Sequence, residues 1–303
     1  QCGDRLYLHV FHYPAEPHEL RIYNLETKVR RVFLLQSGEE LRFLQKYEIA
    51  RDEYRLCIFL PEKPLNPLDT VVALELDGEV NLMKGAIEIA DCVTTVSPSY
   101  AKELSAPDAS GQLSQVIAAH EIVGIRNGIH DGINPFDCPH VHRPYTVDSV
   151  DERVFNKLWM QENMSLRVRE DVPVLGCVSR LLPRKGFELL VEVLPEFLEQ
   201  GAEVVICGNG KRDVKQTLQQ LEEQFPEQVA VISYSEASAA EVLSSIDLFL
   251  MPSLIEPCGT AQLQAMRYGA VPLVRATGGL KDTVKPYDSE HPNGWGFVFE
   301  DYT

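Results

Sequence analysis

Apolar and polar residues follow two different rhythms along this chain. Before about residue 78, short apolar runs alternate with a period of two and are broken by Pro, Gly and Asn. These runs cover residues 5–11, 19–23, 28–35, 39–43, 54–60 and 69–76. Alternation sends every second side chain to one face, so they predict strands of an N-terminal antiparallel β-sandwich. From Pro173 onward the runs are continuously apolar, at residues 174–178, 203–207, 229–233, 247–251, 272–275 and 296–299. Helix-period segments separate them at 186–199, 211–224, 237–245 and 260–268. Strands buried on both faces that alternate with helices predict an α/β doubly wound, Rossmann-like parallel sheet. Between the two rhythms lie a predicted helix at 80–89, a short strand at 92–96 and a helix opening at Ser97 and Pro98, whose types suit a helix start. The expected domains are 1–78, 79–168 and 169–303.

Composition narrows the possibilities. The 303 residues are 45% apolar, enough for about two cores. A net charge of -17 leaves no basic stripe to release counterions from a polyanion, so nucleic acid is not an expected partner. No run of 18 apolar residues occurs, and the start carries no basic-then-apolar leader, so neither a membrane span nor a signal peptide is expected and the chain reads as cytoplasmic. Seven cysteines without paired spacing read as reduced thiols. Cys138, His140 and His142 lie close together, but no fourth ligand or zinc-type spacing accompanies them. They read as a surface loop, and no metal is expected.

Candidate chemistry collects after the apolar runs, where open α/β sheets hold ligands. Arg180 and Lys185 follow the first run, Glu256, Cys258, Gly259 and Thr260 follow the fourth, and Thr277, Gly278 and Gly279 follow the fifth. Two cations and a carboxylate on neighbouring strand ends suit a nucleotide diphosphate sugar, since the cations can hold the diphosphate while the leaving group's charge grows.

The order and spacing of these residues, together with Gly208 and Gly210, Tyr234, Arg267 to Gly269, residues 81–86, 94–103 and Asn127 to Ile129, resemble bacterial glycogen synthases and plant starch synthases. The resemblance runs from about residue 79 to the end. It implies a GT-B glycosyltransferase fold and retaining transfer of glucose from ADP-glucose to an α-1,4-glucan, with no metal and no cofactor. It implies that Arg180 and Lys185 bind phosphate and that Glu256 contacts the donor glucose, a position where the carboxylate would also favour a helix N-terminus. Gly208 and Gly210 would form a turn near the donor or an ordinary αβ turn. Tyr234 would pack on adenine or simply close a strand end. Cys258 would be a small packed residue beside the sugar, and Asn127 a cleft residue or part of an Asn-Gly turn.

Leu6 to Phe11 at one end and Pro67 to Gly78 at the other give residues 1–78, by contrast, a resemblance to the C-terminal β domain of bacterial α-L-fucosidases. There Tyr7, His9, Phe11, His12 and Tyr13 would form either a sugar platform or core and interface contacts. The chain therefore reads as two partial proteins joined near Asp77 and Gly78, with both ends cut. The family's first Lys-x-Gly-Gly-Leu motif is absent, Thr260 and Ala261 replace a usual Leu-Thr, Leu254 replaces a frequent basic residue, and His130 stands where Asp usually follows. With half the cleft gone, transfer by this chain alone is not expected. Residues 79–135 are expected to expose apolar faces made for a sheet that is not here.

Overall fold

The computed structural model describes residues 4–23, 25, 27–48, 53–66, 68–77, 82–106 and 113–302. Its contacts divide the chain into two compact units, residues 1–91 and 92–303. The expected junction near Gly78 falls at residues 78–81, outside the described ones.

The first unit contains β1 (Arg5–Val10), β2 (Glu19–Tyr23), β3 (Val29–Leu34), β4 (Phe43–Glu48), β5 (Glu53–Phe59), β6 (Thr70–Leu76) and α1 (Leu82–Ile89). Two three-stranded antiparallel sheets form, ordered β1-β6-β3 and β2-β5-β4. Inward-facing residues of both, among them Val32, Leu34, Leu56, Ile58, Val72 and Leu74, make one apolar core. One expected strand is misplaced. Residues 39–42 are not part of a named strand: Leu41 folds back on β3, its amide donating to the Val32 carbonyl at 2.8 Å. The strand is Phe43–Glu48, paired with β5, and it leaves Leu44 and Tyr47 exposed.

The second unit runs through β7 (Val93–Thr95), α2 (Pro98–Leu104), α3 (Ser114–Ala119), β8 (Ile122–Gly124), α4 (Arg153–Asn163), β9 (Val174–Val178), α5 (Phe187–Glu199), β10 (Glu203–Cys207) and α6 (Arg212–Gln224). It continues with β11 (Val229–Ile232), α7 (Glu236–Ser245), β12 (Leu248–Met251), α8 (Ala261–Arg267), β13 (Val271–Arg275), α9 (Gly279–Thr283) and β14 (Phe297–Phe299). Six strands form a parallel sheet in the order β11-β10-β9-β12-β13-β14, while β7 and β8 make a separate parallel pair. Strand direction alternates side chains between two cores. Val174, Val178, Val205 and Phe249 face Val242 and Leu243 of α7, and Leu175, Cys177, Val204 and Ile206 face Leu190 and Leu194 of α5 and Leu218 of α6. Both faces are covered, which is why the strands are apolar throughout.

At the amino ends of these strands α4 supplies a polar anchor. Lys157 Nζ donates to Asp247 Oδ2 at 2.7 Å and to the carbonyls of Val172 and Glu170 at 2.6 and 3.1 Å. Gln161 Nε2 donates to the buried Glu203 Oε2 at 2.8 Å. No helix among the described residues is long and apolar enough to cross a membrane.

Candidate functional site

The chain order of the six parallel strands runs outward in one direction from β9 through β10 and β11, and in the other from β12 through β13 and β14. The reversal lies between β9 and β12, and such a switch point opens a crevice outside the carboxyl ends of the two strands. Lys185 enters it from the β9 side and Glu256 from the β12 side. A short 3₁₀ turn, Pro183–Lys185, closes on Gly186, whose φ of 81° and whose approach to the Pro252 carbonyl leave no room for a side chain. Lys185 Nζ donates to Glu256 Oε2, and Ser253 Oγ donates to the same oxygen at 3.0 Å. Both partners are nearly buried, with side chains 13% and 9% exposed. The lysine and the carboxylate expected to hold separate parts of a ligand thus lie together as an ion pair.

Arg180 is exposed on the other side of the β9 end. It lines a cavity of about 170 Å³ with Val178, Ser179, Asn209 and Tyr234. Tyr234 is half exposed, so its ring is available rather than packed away. Gly208 and Gly210 shape this side by close approach. A Cβ on either would sit 2.1 Å from the Ser179 carbonyl oxygen or 2.2 Å from that of Leu181. The two strand-end loops meet there, joined by the Leu181 amide donating to the Asn209 carbonyl at 2.9 Å.

On the β12 side, Gly259 takes a φ of 66° and its carbonyl accepts from Gln262 Nε2 at 2.7 Å. Cys258 is half-buried, its thiol 3.7 Å from the Gly259 carbonyl, and Thr260 precedes α8 without a side-chain cap. Burial pushes the Cys177 thiol beneath the crevice up to about 12, against the opposing pull of Lys185, which keeps it protonated and inert. Asn127 is exposed in the loop after β8, and no hydrogen bond among the described residues ties it to the Lys185–Glu256 pair. Ser253, Asn209 and Gln262 hydrogen-bond to residues of this crevice and were given no role of their own by the sequence reading, since single polar residues beside strand ends carry no pattern of their own.

Elsewhere, His142 stacks on Trp159 at a ring distance of 4.6 Å, and no metal-binding cluster occurs among the described residues. In the first unit, Tyr7, His9, Phe11 and His12 line a groove of about 460 Å³, whereas Tyr13 leaves it to donate to the Pro61 carbonyl at 2.7 Å.

With this geometry in view, residues 161–303 match the family of group 1 glycosyl transferases, and residues 53–119 match the starch synthase catalytic domain. The second match begins upstream of residue 79, so the synthase likeness reaches into β5 and β6, beyond the limit drawn from motifs. Glycogen synthase of Desulforudis audaxviator is 41% identical over 234 residues, 76% of this chain and 47% of that protein. Glycogen synthase of Streptococcus equi subsp. equi is 41% identical over 287 residues, 89% and 60% of the two. The catalytic domain of Starch Synthase IV from Arabidopsis thaliana, bound to ADP and acarbose, superposes with a TM-score of 0.69 at 33% identity over 74% of this chain and 48% of that one. Sucrose-phosphate synthase from Thermosynechococcus elongatus, at 21% identity and a TM-score of 0.50, shares the fold. The chain spans about half the length of the first of these curated relatives. Its parallel-sheet unit has a GT-B glycosyltransferase fold and is glycogen/starch synthase-like.

Proposed function

We propose that residues 169–303 form the donor lobe of a retaining glucosyltransferase that uses ADP-glucose and extends an α-1,4-glucan, with residues 79–168 contributing part of the opposite lobe and the interdomain segment. The observation that carries this reading is the Lys185–Glu256 pair at the switch point of the sheet. An ammonium has three donors, and Glu256 engages one. The remaining donors of Lys185 and the exposed guanidinium of Arg180 take the diphosphate, whose charge grows as the glycosidic bond breaks. Adenine lies against Tyr234 in the adjoining cavity, and Glu256 is left to accept hydroxyls of the glucose. Gly208, Gly210, Cys258, Gly259 and Thr260 keep the backbone close to the ligand, and Asn127 belongs to the interdomain cleft. Support comes from the relatives named glycogen synthase and from the ADP-bound starch synthase.

ADP titration by calorimetry tests the assignment. Arg180→Ala disturbs no buried charge and is expected to weaken ADP about tenfold, the loss of one charge-assisted contact. Lys185→Ala is expected to weaken it at least as much. Unchanged affinity in both variants would sink the site. The 303-residue chain by itself is expected to show no glucan elongation, and elongation abolished by Glu256→Gln would overturn that while confirming the site.

For residues 1–78 we propose, as a second reading, an accessory β module like that of α-L-fucosidases, against which stands the starch synthase match that takes in residues 53–78. The stacked His9 and Phe11 rings, 6.0 Å apart at 18° beside the groove, favour carbohydrate binding. Glycan retention lost in Phe11→Ala would support this reading, and equal retention would remove it.

A further inference from the structure

Asp282 sits on α9, far in sequence from the segment that holds it. Ser97, 185 positions upstream, donates through Oγ to Asp282 Oδ2 at 2.5 Å. The Ser99 amide donates to the same oxygen at 3.1 Å and Ser99 Oγ to Oδ1 at 2.6 Å, so both carboxylate oxygens are engaged. Ser97 is also the cap of α2, its Oγ accepting from the Tyr100 amide at 2.9 Å. A second contact lies one turn along: the Gly278 amide donates to both oxygens of Glu103 at 2.9 and 3.1 Å, and Lys281 Nζ lies 3.4 Å from that carboxylate. Arg126 closes the group by donating to the Asp282 carbonyl at 3.0 Å.

The side-chain hydrogen bonds that tie α2 to α9 are charge-assisted, and Val123 in β8 and Ile125 after it stay 42% and 58% exposed. Burial opposes the charge on Asp282, yet the hydrogen bonds from Ser97 and Ser99 outweigh it and hold its carboxyl below the usual range.

From α9 the linkage continues into the ligand crevice. The Gly279 amide donates to the Glu256 carbonyl at 2.9 Å. A Cβ on Gly278 or Gly279 would lie 2.1 Å from the Glu256 carbonyl oxygen or 2.0 Å from that of Cys258, so the two backbones touch. Thr283 Oγ1 donates to the Gly279 carbonyl at 2.7 Å and accepts from Gln262 Nε2 at 2.8 Å, and the same Gln262 nitrogen reaches the Gly259 carbonyl. A shift of α9 is therefore a shift of the loop that aims Glu256.

We propose that Asp282 is a positioning residue, a latch that ties the β7–α2–β8 segment to α9 and through it sets the Glu256–Gly259 loop for the sugar of the donor. The inference rests on the donor-site reading above. Because the loop meets the sugar rather than the nucleotide, the latch acts on ADP-glucose and hardly on ADP.

The test measures ADP-glucose and ADP affinity, together with amide exchange at Ser99, Gly278 and Gly279, in Asp282→Asn, Ser99→Ala, their combination and Ser99→Thr. Each single variant is expected to weaken ADP-glucose about three- to tenfold while ADP changes less than about twofold, as for one hydrogen bond to a charged group. The combination should be no worse than the weaker single variant, because both remove one joint, and Ser99→Thr should restore binding. Unchanged ADP-glucose affinity with faster exchange at Ser99 would reduce the contact to a structural one and overturn the proposal, as would losses that multiply. Should the unmutated chain bind neither ligand, the donor-site reading fails first. Exchange then decides the latch: lost protection at Gly279 in Asp282→Asn keeps the link, and retained protection breaks it.

Discussion

Two nearly buried lysines stand at opposite ends of the parallel sheet, and they are built differently. Lys157, at the amino ends, spends its ammonium on Asp247 and on two carbonyls, a filled set of acceptors. Lys185, at the carboxyl ends, meets Glu256 as its single acceptor among the described residues. An ammonium has three donors, so the first lysine is complete and the second is not. Burial alone does not separate an anchor from a ligand-binding cation; the count of satisfied donors does.

The largest expected effect breaks the filled set. Lys157→Met should lower unfolding stability by about 1 to 3 kcal/mol, because it leaves the Val172 carbonyl without its donor and Asp247 with the Val174 amide alone. ADP affinity of the folded protein should stay as it was. Chemical denaturation with ADP titration checks both, and a Lys157→Met protein that loses ADP as Lys185→Ala does would erase the distinction.

The open pair should answer the opposite way. Lys185→Met combined with Glu256→Gln removes both charges at once, so neither is left buried without its partner. Stability within about 1 kcal/mol of the parent, with ADP binding weakened tenfold or more, is the expected result. A large loss of stability would show that this pair, too, is an anchor.

How far these features could be read from sequence follows from their range. The continuous apolar runs that became β9 to β13 were legible because both faces of a covered parallel sheet demand them. Lys185, Glu256 and Arg180 were legible as residues just past strand ends. Phe43–Glu48 was missed because an edge strand with Leu44 and Tyr47 exposed shows weak alternation. Lys157 with Asp247, and Ser97 with Asp282, were out of reach since each pair is made by folding across 90 or 185 positions. Ser97 and Pro98 did announce a helix start, but nothing local says that the cap also serves a distant carboxylate.

A smaller effect sharpens the amino end. Glu203 is buried with Oε1 lacking a partner among the described residues, while Gln161 holds Oε2. Burial raises its pKa above the unfolded value, against the weaker pull of Gln161, Lys157, Arg167 and Arg169. Between the unfolded and folded values the native chain keeps a proton that the unfolded chain releases, so stability falls as pH rises through that window and levels off above it. Glu203→Gln should remove that slope and stabilise the neutral-pH protein by about 1 kcal/mol. Thermal melts from pH 4 to 8 that superpose in both proteins would refute the assignment.

The smallest effect lies at the open end. Glu256→Gln keeps the shape of the side chain and an oxygen that can still accept from Lys185 and Ser253, but it removes the charge that competes with phosphate for the ammonium. ADP carries no glucose, so nothing in it needs the carboxylate, and its affinity should change less than about threefold, in the direction of tighter binding. ADP-glucose should not share that gain, because its hydroxyls lose a charged acceptor. The ratio of the two affinities is therefore the sensitive quantity. If both ligands tighten equally on Glu256→Gln, the carboxylate only restrains Lys185 and does not face the sugar; if ADP-glucose alone weakens, Glu256 belongs to the donor site and Lys157 has no counterpart to this behaviour at the other end of the sheet.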